Sequence, residues 1–346
     1  MIISRTPYRI SFFGGGTDYP AWYRRYGGAV LGTTINKFCY VSVRTLPPFF
    51  DHRHRIVYSR IELPQTIEEI QHPAVRAVFQ QQQIQTGVEV QHHGDLPARS
   101  GMGSSSAFTV GLLHSIRAYQ GLTSSPECLA REAVRIEQDV IGENVGSQDQ
   151  IWAAYGGTNI ITFETDGSFK VTPVIIPDER CEELESHMLL FFTGLSRTAA
   201  NIAKKQIENM DNAEMQLRLL QQMVGEASAI LQDRRRSVNE LGILLHDSWK
   251  LKKELADAVS NPAIDGIFAA ALDAGAVGGK LLGAGGGGFI LIIADPSKHS
   301  RIRARLKSLI EVSFKIGSSG SKIVVYEPDG LETLAKSVTS QSSRSL

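Results

Sequence analysis

The sequence predicts an α+β fold of two domains, and three observations carry that expectation. Runs rich in β-branched and aromatic residues fill the chain up to residue 93, residues 196–275 are rich in Leu, Ala, Glu, Lys and Arg, and two more strand-like runs flank an amphipathic segment near the C-terminus. A length of 346 residues suits two domains of ordinary size. The division is expected near residue 180, with domains over 1–180 and 181–336 and a disordered tail over 337–346, where SVTSQSSRSL lacks apolar periodicity.

RISFF (9–13), FCYVSVRT (38–45), RIVYS (55–59) and VEVQHH (88–93) read as strands separated by turn residues. VRAVFQQQQI (75–84) sets Val75, Val78 and Phe79 on one helical face. AFTVGLLHSIRAY (107–119) is a helix apolar on more than one side, hence buried. The next helix has clear punctuation: Ser125 as N-cap, Pro126 in the first turn, a stripe of Leu129, Ala133, Ile136 and Val140, and Glu137 beside that stripe. GGTNIITF (156–163) and HMLLFFTG (187–194) read as strands, and 196–275 as helices. FILIIA (289–294) and SKIVVYE (321–327) are expected as strands of the second domain, around a helix over RIRARLKSLI (301–310).

Lys+Arg and Asp+Glu number 36 each, so no global field draws the protein to nucleic acid or to an acidic membrane, and any anion must be held locally. FILIIA and its like fall far short of the roughly 20 residues of a membrane helix. The N-terminus MIISRTPYRISFF has neither an apolar h-region nor a cleavage site. Cys39, Cys128 and Cys181 are odd in number and lack C-x-x-C spacing, which reads as small hydrophobes in a reducing compartment. Together these point to the cytoplasm. His52, His54, His92 and His93 have no metal-site spacing and read as strand or surface residues, and His246 and Trp249, at i and i+3, read as core packing.

Glycine concentrates in FFGGGTDYP (12–20), SGMGSSSAF (100–108) and KLLGAGGGGFI (280–290). The second runs straight into a helix, whose first N–H groups lack intrahelical partners and can face phosphate oxygens along the helix dipole. It lacks the lysine of the P-loop G-x-x-x-x-G-K-[ST], Ser104 standing in that place, so serine hydroxyls and a metal such as Mg²⁺ must share the charge. By chemistry alone Glu132, Glu137 and Glu143 are equal candidates for the metal's carboxylate, and position favours Glu137. GAGGGGF is followed by a strand and so fails the Rossmann context; it reads as a turn whose backbone lies against a ligand or another loop.

The three stretches in this order resemble the GHMP small-molecule kinases, over nearly the whole chain. The family loop P-x-x-x-G-L-G-S-S-A-A is matched by Pro97, Gly101, Met102, Gly103, Ser104, Ser105, Ser106 and Ala107, with Met102 and Ser106 as departures. The sugar motif R-x-x-x-x-G-x-x-T-D-Y is matched by Arg9, Gly14, Thr17, Asp18 and Tyr19, the C-terminal glycine motif by Gly283 to Gly288, and the segment of the catalytic aspartate by GSQDQ, which supplies Asp149. Galactokinases carry Glu-His where this chain has Gly15-Gly16, which argues against galactose. GGGTDYPAWY, FFTGLSRTA, LLHDSWKLKK and LLGAGGGGF are most similar to the D-glycero-D-manno-heptose 7-phosphate kinase branch, which phosphorylates an anomeric hydroxyl to give heptose 1,7-bisphosphate for surface polysaccharides.

The resemblance implies the two-domain GHMP kinase fold, an N-terminal domain like ribosomal protein S5 and a ferredoxin-like C-terminal domain. It implies that Pro97, Ser100, Gly101, Met102, Gly103, Ser104, Ser105 and Ser106 hold ATP, and that Ser104 or Ser105 with Glu137 holds Mg²⁺. Asp149 would orient or accept the acceptor's proton and Arg9 would balance the charge there. Gly15, Gly16, Thr17, Asp18, Tyr19, Gly285 and Gly286 would contact the sugar. Arg197, with Lys204 and Arg99 behind it, would bind the substrate's own phosphate, because arginine suits bidentate oxyanion contacts. The partners expected are a sugar phosphate and ATP, with no nucleic acid or membrane, and a homodimer as the assembly. The rival readings are a kinase for another sugar, such as fucose or unphosphorylated heptose, and a non-catalytic sensor of sugar and nucleotide.

Overall fold

The computed structural model describes residues 1–195 and 199–328, so the expected tail at 337–346 and Arg197 lie outside the described residues. The chain opens with β1 (Ile2–Phe13), α1 (Pro20–Tyr26), β2 (Gly28–Thr45), β3 (Arg55–Val57), β4 (Ile61–Glu62), α2 (Pro73–Gln81) and β5 (Val88–Gly94). It continues with α3 (Ser104–Tyr119), α4 (Pro126–Arg135), α5 (Gln148–Tyr155), β6 (Thr158–Phe163), β7 (Phe169–Pro173) and α6 (Asp178–Ser186). After β8 (Met188–Phe192) come the helices α7 (Ala199–Glu208), α8 (Glu214–Gln232), α9 (Val238–Lys253) and α10 (Pro262–Asp273). The last part holds β9 (Gly278–Leu281), β10 (Phe289–Ile293), α11 (His299–Arg305), β11 (Ile310–Glu311) and β12 (Lys322–Tyr326).

Two sheets organise these elements. The larger runs β12-β1-β2-β5-β3-β4, with β6 on β2 and β7 on β6; the smaller runs β11-β8-β10-β9 and is antiparallel throughout. The long strand β2 changes partner along its length, pairing β6 over Gly28–Thr33 and β5 over Cys39–Thr45. Against β2, strand β1 is irregular at two places, between Pro7 and Arg9 and between Ser11 and Phe13. Such bulges take backbone groups out of the ladder and re-aim side chains. Here the freed Arg9 N–H donates to the carbonyl of Met102 at 3.1 Å, and the freed carbonyl of Phe12 accepts from Lys280 Nζ at 2.8 Å.

The smaller sheet shows why FILIIA is apolar at every position. Successive side chains of a strand point to opposite faces. Met188, Leu190, Leu291 and Ile293 join the core that includes β1, β2, α3, α8 and α9, whereas Leu189, Phe191, Ile290 and Ile292 join Trp249, Ile264, Phe268 and Ile302 in a second core under α10 and α11. A third cluster packs Tyr19 and Trp22 against Ala203, Met210, Leu217, Leu220 and Leu255, tying the start of α1 to the helical segment. Trp249 stacks on Phe268 at 5.4 Å, the packing role expected for it.

Three expectations need correction. The segment at RIRARLKSLI is helical only to Arg305; Ile310 and Glu311 pair with Phe192 and Phe191 at the edge of the smaller sheet, where the β8 ladder satisfies their backbone. SKIVVYE does not join that sheet: β12 returns to the larger one and pairs antiparallel with β1, Ile2 opposite Tyr326. The helix after the serine loop also begins earlier than expected, at Ser104 rather than Ala107, so the three serines form its first turn.

Helix α3 lies against β1 and β2 because Gly111 gives it no side chain there: a methyl on Gly111 would sit 2.9 Å from Thr6 Oγ1 and 3.1 Å from Ser4 Oγ, and Ser4 Oγ donates to the Gly111 carbonyl at 2.8 Å. Gly111→Val is therefore expected to destabilise the protein by about 1–3 kcal/mol through overpacking. An unchanged midpoint in urea or heat unfolding would remove this contact from the list of determinants of the fold.

Candidate active site

The glycine loop comes first, since everything else is arranged around it. Gly101 and Gly103 have φ of 81° and 73°, and Gly103 precedes the first turn of α3 in the left-handed conformation that glycine adopts without penalty. The first backbone N–H with an intrahelical partner is that of Ala107, which donates to Gly103 O at 2.9 Å. The amides of Ser104, Ser105 and Ser106 thus sit where a 16-residue helix presents its orphan donors and positive dipole end. Met102 is fully buried and anchors the loop, while Pro97 is exposed at its entrance.

Arg9 and Asp149 meet across this loop. Arg9 Nε donates to Asp149 Oδ1 and Nη2 to Oδ2, both at 2.7 Å, while Nη1 donates to the Gly101 carbonyl at 2.6 Å. Asp149 is the second residue of α5, and a methyl on Gly103 would stand 3.5 Å from its carboxylate. The arginine is buried, whereas 24% of the aspartate side chain reaches solvent. The sequence-expected pair is thus a bidentate, charge-assisted contact with one open side.

Asp18 lies close by. It is buried, its Oδ1 accepts from the Gly16 amide at 3.0 Å, and its carbonyl accepts from the Ser147 amide at 2.9 Å, joining the GGGTD turn to the start of α5. A methyl on Gly146 would fall 1.8 Å from Asp18 Oδ2, so only glycine permits this approach. Burial pushes the Asp18 carboxyl above its ordinary range against the pull of the Gly16 N–H, with the Asp149 charge adding to the rise. Thr17 and Tyr19, the neighbours of Asp18, are built into the same turn. Thr17 is fully buried and its hydroxyl is engaged with the carbonyls of Gly14 and Ala29 at 2.8 and 2.9 Å; Tyr19 is buried in the third cluster. Both hold the turn.

Glu137 sits on a π-helical turn, Ile136–Val140, that extends α4, closed by the Ile141 N–H on the Ile136 carbonyl at 2.9 Å. Such turns concentrate at functional sites. Its Oε2 accepts from Ser106 Oγ at 2.9 Å and from Gln150 Nε2, while Oε1 is buried without a partner among the described residues. Burial raises its pKa to about 7, against the hydrogen bonds from Ser106 and Gln150. The hydroxyl beside Glu137 is that of Ser106. Neither expected serine stands there: Ser104 Oγ accepts from the Arg99 amide at 3.1 Å, and Ser105 is exposed. Glu132 is engaged by Gln82 and Arg117, and Glu143 lies beside Arg99. An orphan carboxylate oxygen and an adjacent hydroxyl form an all-oxygen donor set, which fits Mg²⁺.

The C-terminal glycine motif packs on the loop of the first half. A methyl on Gly283 would lie 2.4 Å from the Gly101 Cα, one on Gly288 2.2 Å from the Ser100 carbonyl, and the Phe289 amide donates to that carbonyl at 3.2 Å. Ser100 itself is buried, and its hydroxyl has no partner among the described residues. Gly285 and Gly286 turn the other way, against the backbone of Val259, whose carbonyl accepts from the Gly286 amide at 2.9 Å. Lys204, named for the substrate phosphate, pairs instead with Glu208 on an exposed helix face.

Sequence reasoning missed two lysines. Lys252, at the end of α9, is buried, donates to the Gly283 carbonyl at 2.5 Å, and is pushed down to about 8 by burial against the pull of Asp18. Lys280 is buried beside it, held well below the ordinary lysine range by burial. The only sequence signal was their occurrence in LLHDSWKLKK and KLLGAGGGGF, where Lys252 is the middle one of three lysines in the last turn of α9.

Comparison with known proteins agrees with this arrangement. Residues 68–157 match the family described as GHMP kinases N terminal domain, and residues 227–311 the family described as GHMP kinases C terminal, together half of the chain. The chain is 28% identical over 318 residues to a D-glycero-alpha-D-manno-heptose 7-phosphate kinase of Campylobacter jejuni, covering 88% of this chain and 93% of that one. It is also 28% identical over 341 residues to the L-fucokinase/L-fucose-1-P guanylyltransferase of Bacteroides fragilis, covering 88% of this chain but only 36% of that longer protein. Among solved structures, a D-glycero-D-manno-heptose 1-phosphate kinase from Bacteroides thetaiotaomicron superposes with a TM-score of 0.77 over 94% of this chain and 100% of that one, at 22% identity. With its two-sheet fold and its paired glycine loops, the chain belongs to the GHMP kinases, a family of phosphotransferases that use ATP as phosphate donor.

Proposed function

We propose that this GHMP kinase transfers the γ-phosphoryl group of ATP to the anomeric C1 hydroxyl of D-glycero-D-manno-heptose 7-phosphate, giving heptose 1,7-bisphosphate for nucleotide-activated heptose and surface polysaccharide synthesis in the cytoplasm. The observation that carries the phosphotransfer is the bidentate Arg9–Asp149 pair, closed on the Gly101 carbonyl at the mouth of the α3 amides. The choice of sugar is supported by the 28% identity to the Campylobacter enzyme along nearly its whole length and by Gly15-Gly16, which leave no side chain where galactokinases have two. A second reading, a fucose kinase, is favoured by the equal identity to the bifunctional fucokinase.

Phosphoryl transfer asks a protein mainly for alignment and for stabilisation of spreading negative charge. The amides of Ser104, Ser105 and Ser106 would hold phosphate oxygens, and the side chains of Ser106 and Glu137 would hold Mg²⁺. When bound, the ion neutralises charge on the transferring phosphoryl group. Asp149 would accept the hydrogen bond, then the proton, of the C1 hydroxyl, a better acid than an ordinary alcohol because of the ring oxygen. Arg9 places a fixed positive charge where that oxygen becomes anionic. Asp18, at the GGGTD turn, would accept from ring hydroxyls. On this reading the chain divides near residue 180, with β12 crossing back into the first part.

Asp149→Ala is expected to lower kcat by roughly 10²–10⁴ while binding of a non-hydrolysable ATP analogue persists, and near-normal ADP release would sink the assignment. The wild type should release ADP with heptose 7-phosphate at a kcat/KM well above that with L-fucose; the reverse order would select the second reading. Glu137 gives a pH test. A carboxyl whose folded pKa lies near 7, against 4.5 unfolded, contributes its stability in full below pH 4.5 and loses it as pH rises through about 7. The metal-free wild type should therefore lose on the order of 3 kcal/mol relative to Glu137→Gln between those limits. His54 and His72, lowered to about 4 by burial, titrate with the opposite sign, so the difference between the two proteins is the quantity to read from unfolding at pH 4.5 and 8. Parallel profiles would show that Glu137 is not the buried acid described.

A further inference from the structure

Gln150 has no part in the mechanism above, although it follows Asp149 directly and its side chain is fully buried. Successive residues of an α-helix project about 100° apart. While Asp149 turns to Arg9 and the glycine loop, Gln150 turns to the π-helical extension of α4, where its Nε2 donates to Glu137 Oε2. That oxygen also accepts from Ser106 Oγ at 2.9 Å, so both donors fall on one oxygen of the carboxylate. The other, Glu137 Oε1, is buried without a partner among the described residues, and so is Gln150 Oε1. The backbone around this pair is closed on itself. The Glu143 amide donates to the Glu137 carbonyl at 2.9 Å, and Gln138 Nε2 spans to the Val145 carbonyl and to Ser147 Oγ at 3.0 Å each, at the start of α5.

Packing alone does not account for an amide at this position. A leucine or methionine would fill similar space and leave no buried oxygen unpaired, and an unpaired buried acceptor costs stability. The amide instead sets a carboxylate. Two donors on Oε2 fix the rotation of the carboxylate about its last bond and leave Oε1 as the oxygen free to take a ligand. A metal ligand oriented by a further hydrogen-bonding group holds its ion more tightly than an unsupported one. Of the two donors, Ser106 already belongs to the oxygen set assigned to Mg²⁺, which leaves Gln150 as the group that acts on Glu137 without itself facing the ion. We infer that Gln150 is a positioning residue: it holds the Glu137 carboxylate in the orientation that presents Oε1 to Mg²⁺. As the neighbour of Asp149 on α5, it also keeps that orientation in register with the carboxylate that receives the acceptor's proton. This rests on the metal and phosphotransfer assignments of the proposed function and is indifferent to which sugar is the acceptor.

A double-mutant cycle tests this through nucleotide binding, independently of turnover. Gln150→Met removes the amide and keeps the length of the side chain, Glu137→Gln removes the charged ligand, and the fourth protein carries both. Binding of a non-hydrolysable ATP analogue would be measured by calorimetry for each, once with excess EDTA and once with saturating Mg²⁺, with unfolding midpoints alongside. The metal's complex with free nucleotide is common to all four proteins and cancels. Gln150→Met is expected to weaken binding about tenfold in Mg²⁺ and to leave binding in EDTA within about twofold of wild type. Glu137→Gln is expected to weaken binding in Mg²⁺ at least as much, and the double variant no further than Glu137→Gln alone, because Gln150 acts through Glu137. An equal loss with and without Mg²⁺ would make Gln150 a packing residue, and losses that multiply in the double variant would give it a role independent of Glu137. Either result overturns the inference, as does unchanged binding in Mg²⁺. Gln150→Asn, which withdraws the same donor by one methylene, replaces Gln150→Met if that variant does not fold, and failure of both to fold also overturns it. A wild type whose binding ignores Mg²⁺ sinks the metal assignment and this inference together. One that binds the analogue with Mg²⁺ but phosphorylates no sugar sinks the sugar reading alone.

Discussion

The contact on which the rest of the site depends is the fork of Arg9 around Asp149 and Gly101. One guanidinium ties β1, the glycine loop and the start of α5 together with three short hydrogen bonds. Its backbone adds a fourth, to Met102, available because β1 bulges there. A buried charge pair repays its desolvation only when geometry is good and the remaining donors are satisfied. Here the bidentate face meets the carboxylate and the remaining nitrogen meets a carbonyl, so the arginine is both a charge for the chemistry and the peg that sets the loop's position.

Around that peg the charges are kept nearly balanced at close quarters. The Asp149 charge adds to the cost of ionising the buried Asp18, and Arg9 and Lys252 bring positive charge to the pair from opposite halves of the chain. The glycines make this crowding possible. Gly146 lets Asp18 approach α5, Gly103 lets Asp149 approach the loop, and Gly101 and Gly283 bring the two glycine loops into backbone contact. Each is a place where a Cβ would separate charges that must act together.

Much of this was legible in the sequence. Ser125 and Pro126 mark the start of α4 as the structure has it, the Ser125 hydroxyl accepting from the Cys128 amide at 3.1 Å, and Arg9, Asp18 and Asp149 are brought close to one another from separate motifs. What was not legible depends on tertiary placement. The partner of Glu137 is Ser106 because the helix starts at Ser104, which turns the third serine rather than the first two toward α4. Thr17 and Tyr19 belong to the sugar motif by position, yet their roles are decided by carbonyls and apolar side chains far along the chain. Lys252 sits among lysines that composition alone assigns to solvent, and only the fold of α9 against the glycine loops shows one of them to be buried.

The return of β12 to the edge of β1 has a consequence for how the molecule is made. Ile2 pairs with Tyr326 and Arg5 with Lys322, so the outer edge of the first strand stays uncovered until the last strand has left the ribosome. The second sheet, built from residues 188–311, is complete in sequence before that closure. Assembly is thus ordered by synthesis: the second sheet and its helices can form first, and the first sheet is sealed at the end. During synthesis the edge of β1 over Ile2–Arg5 is a segment in need of protection from pairing with another chain.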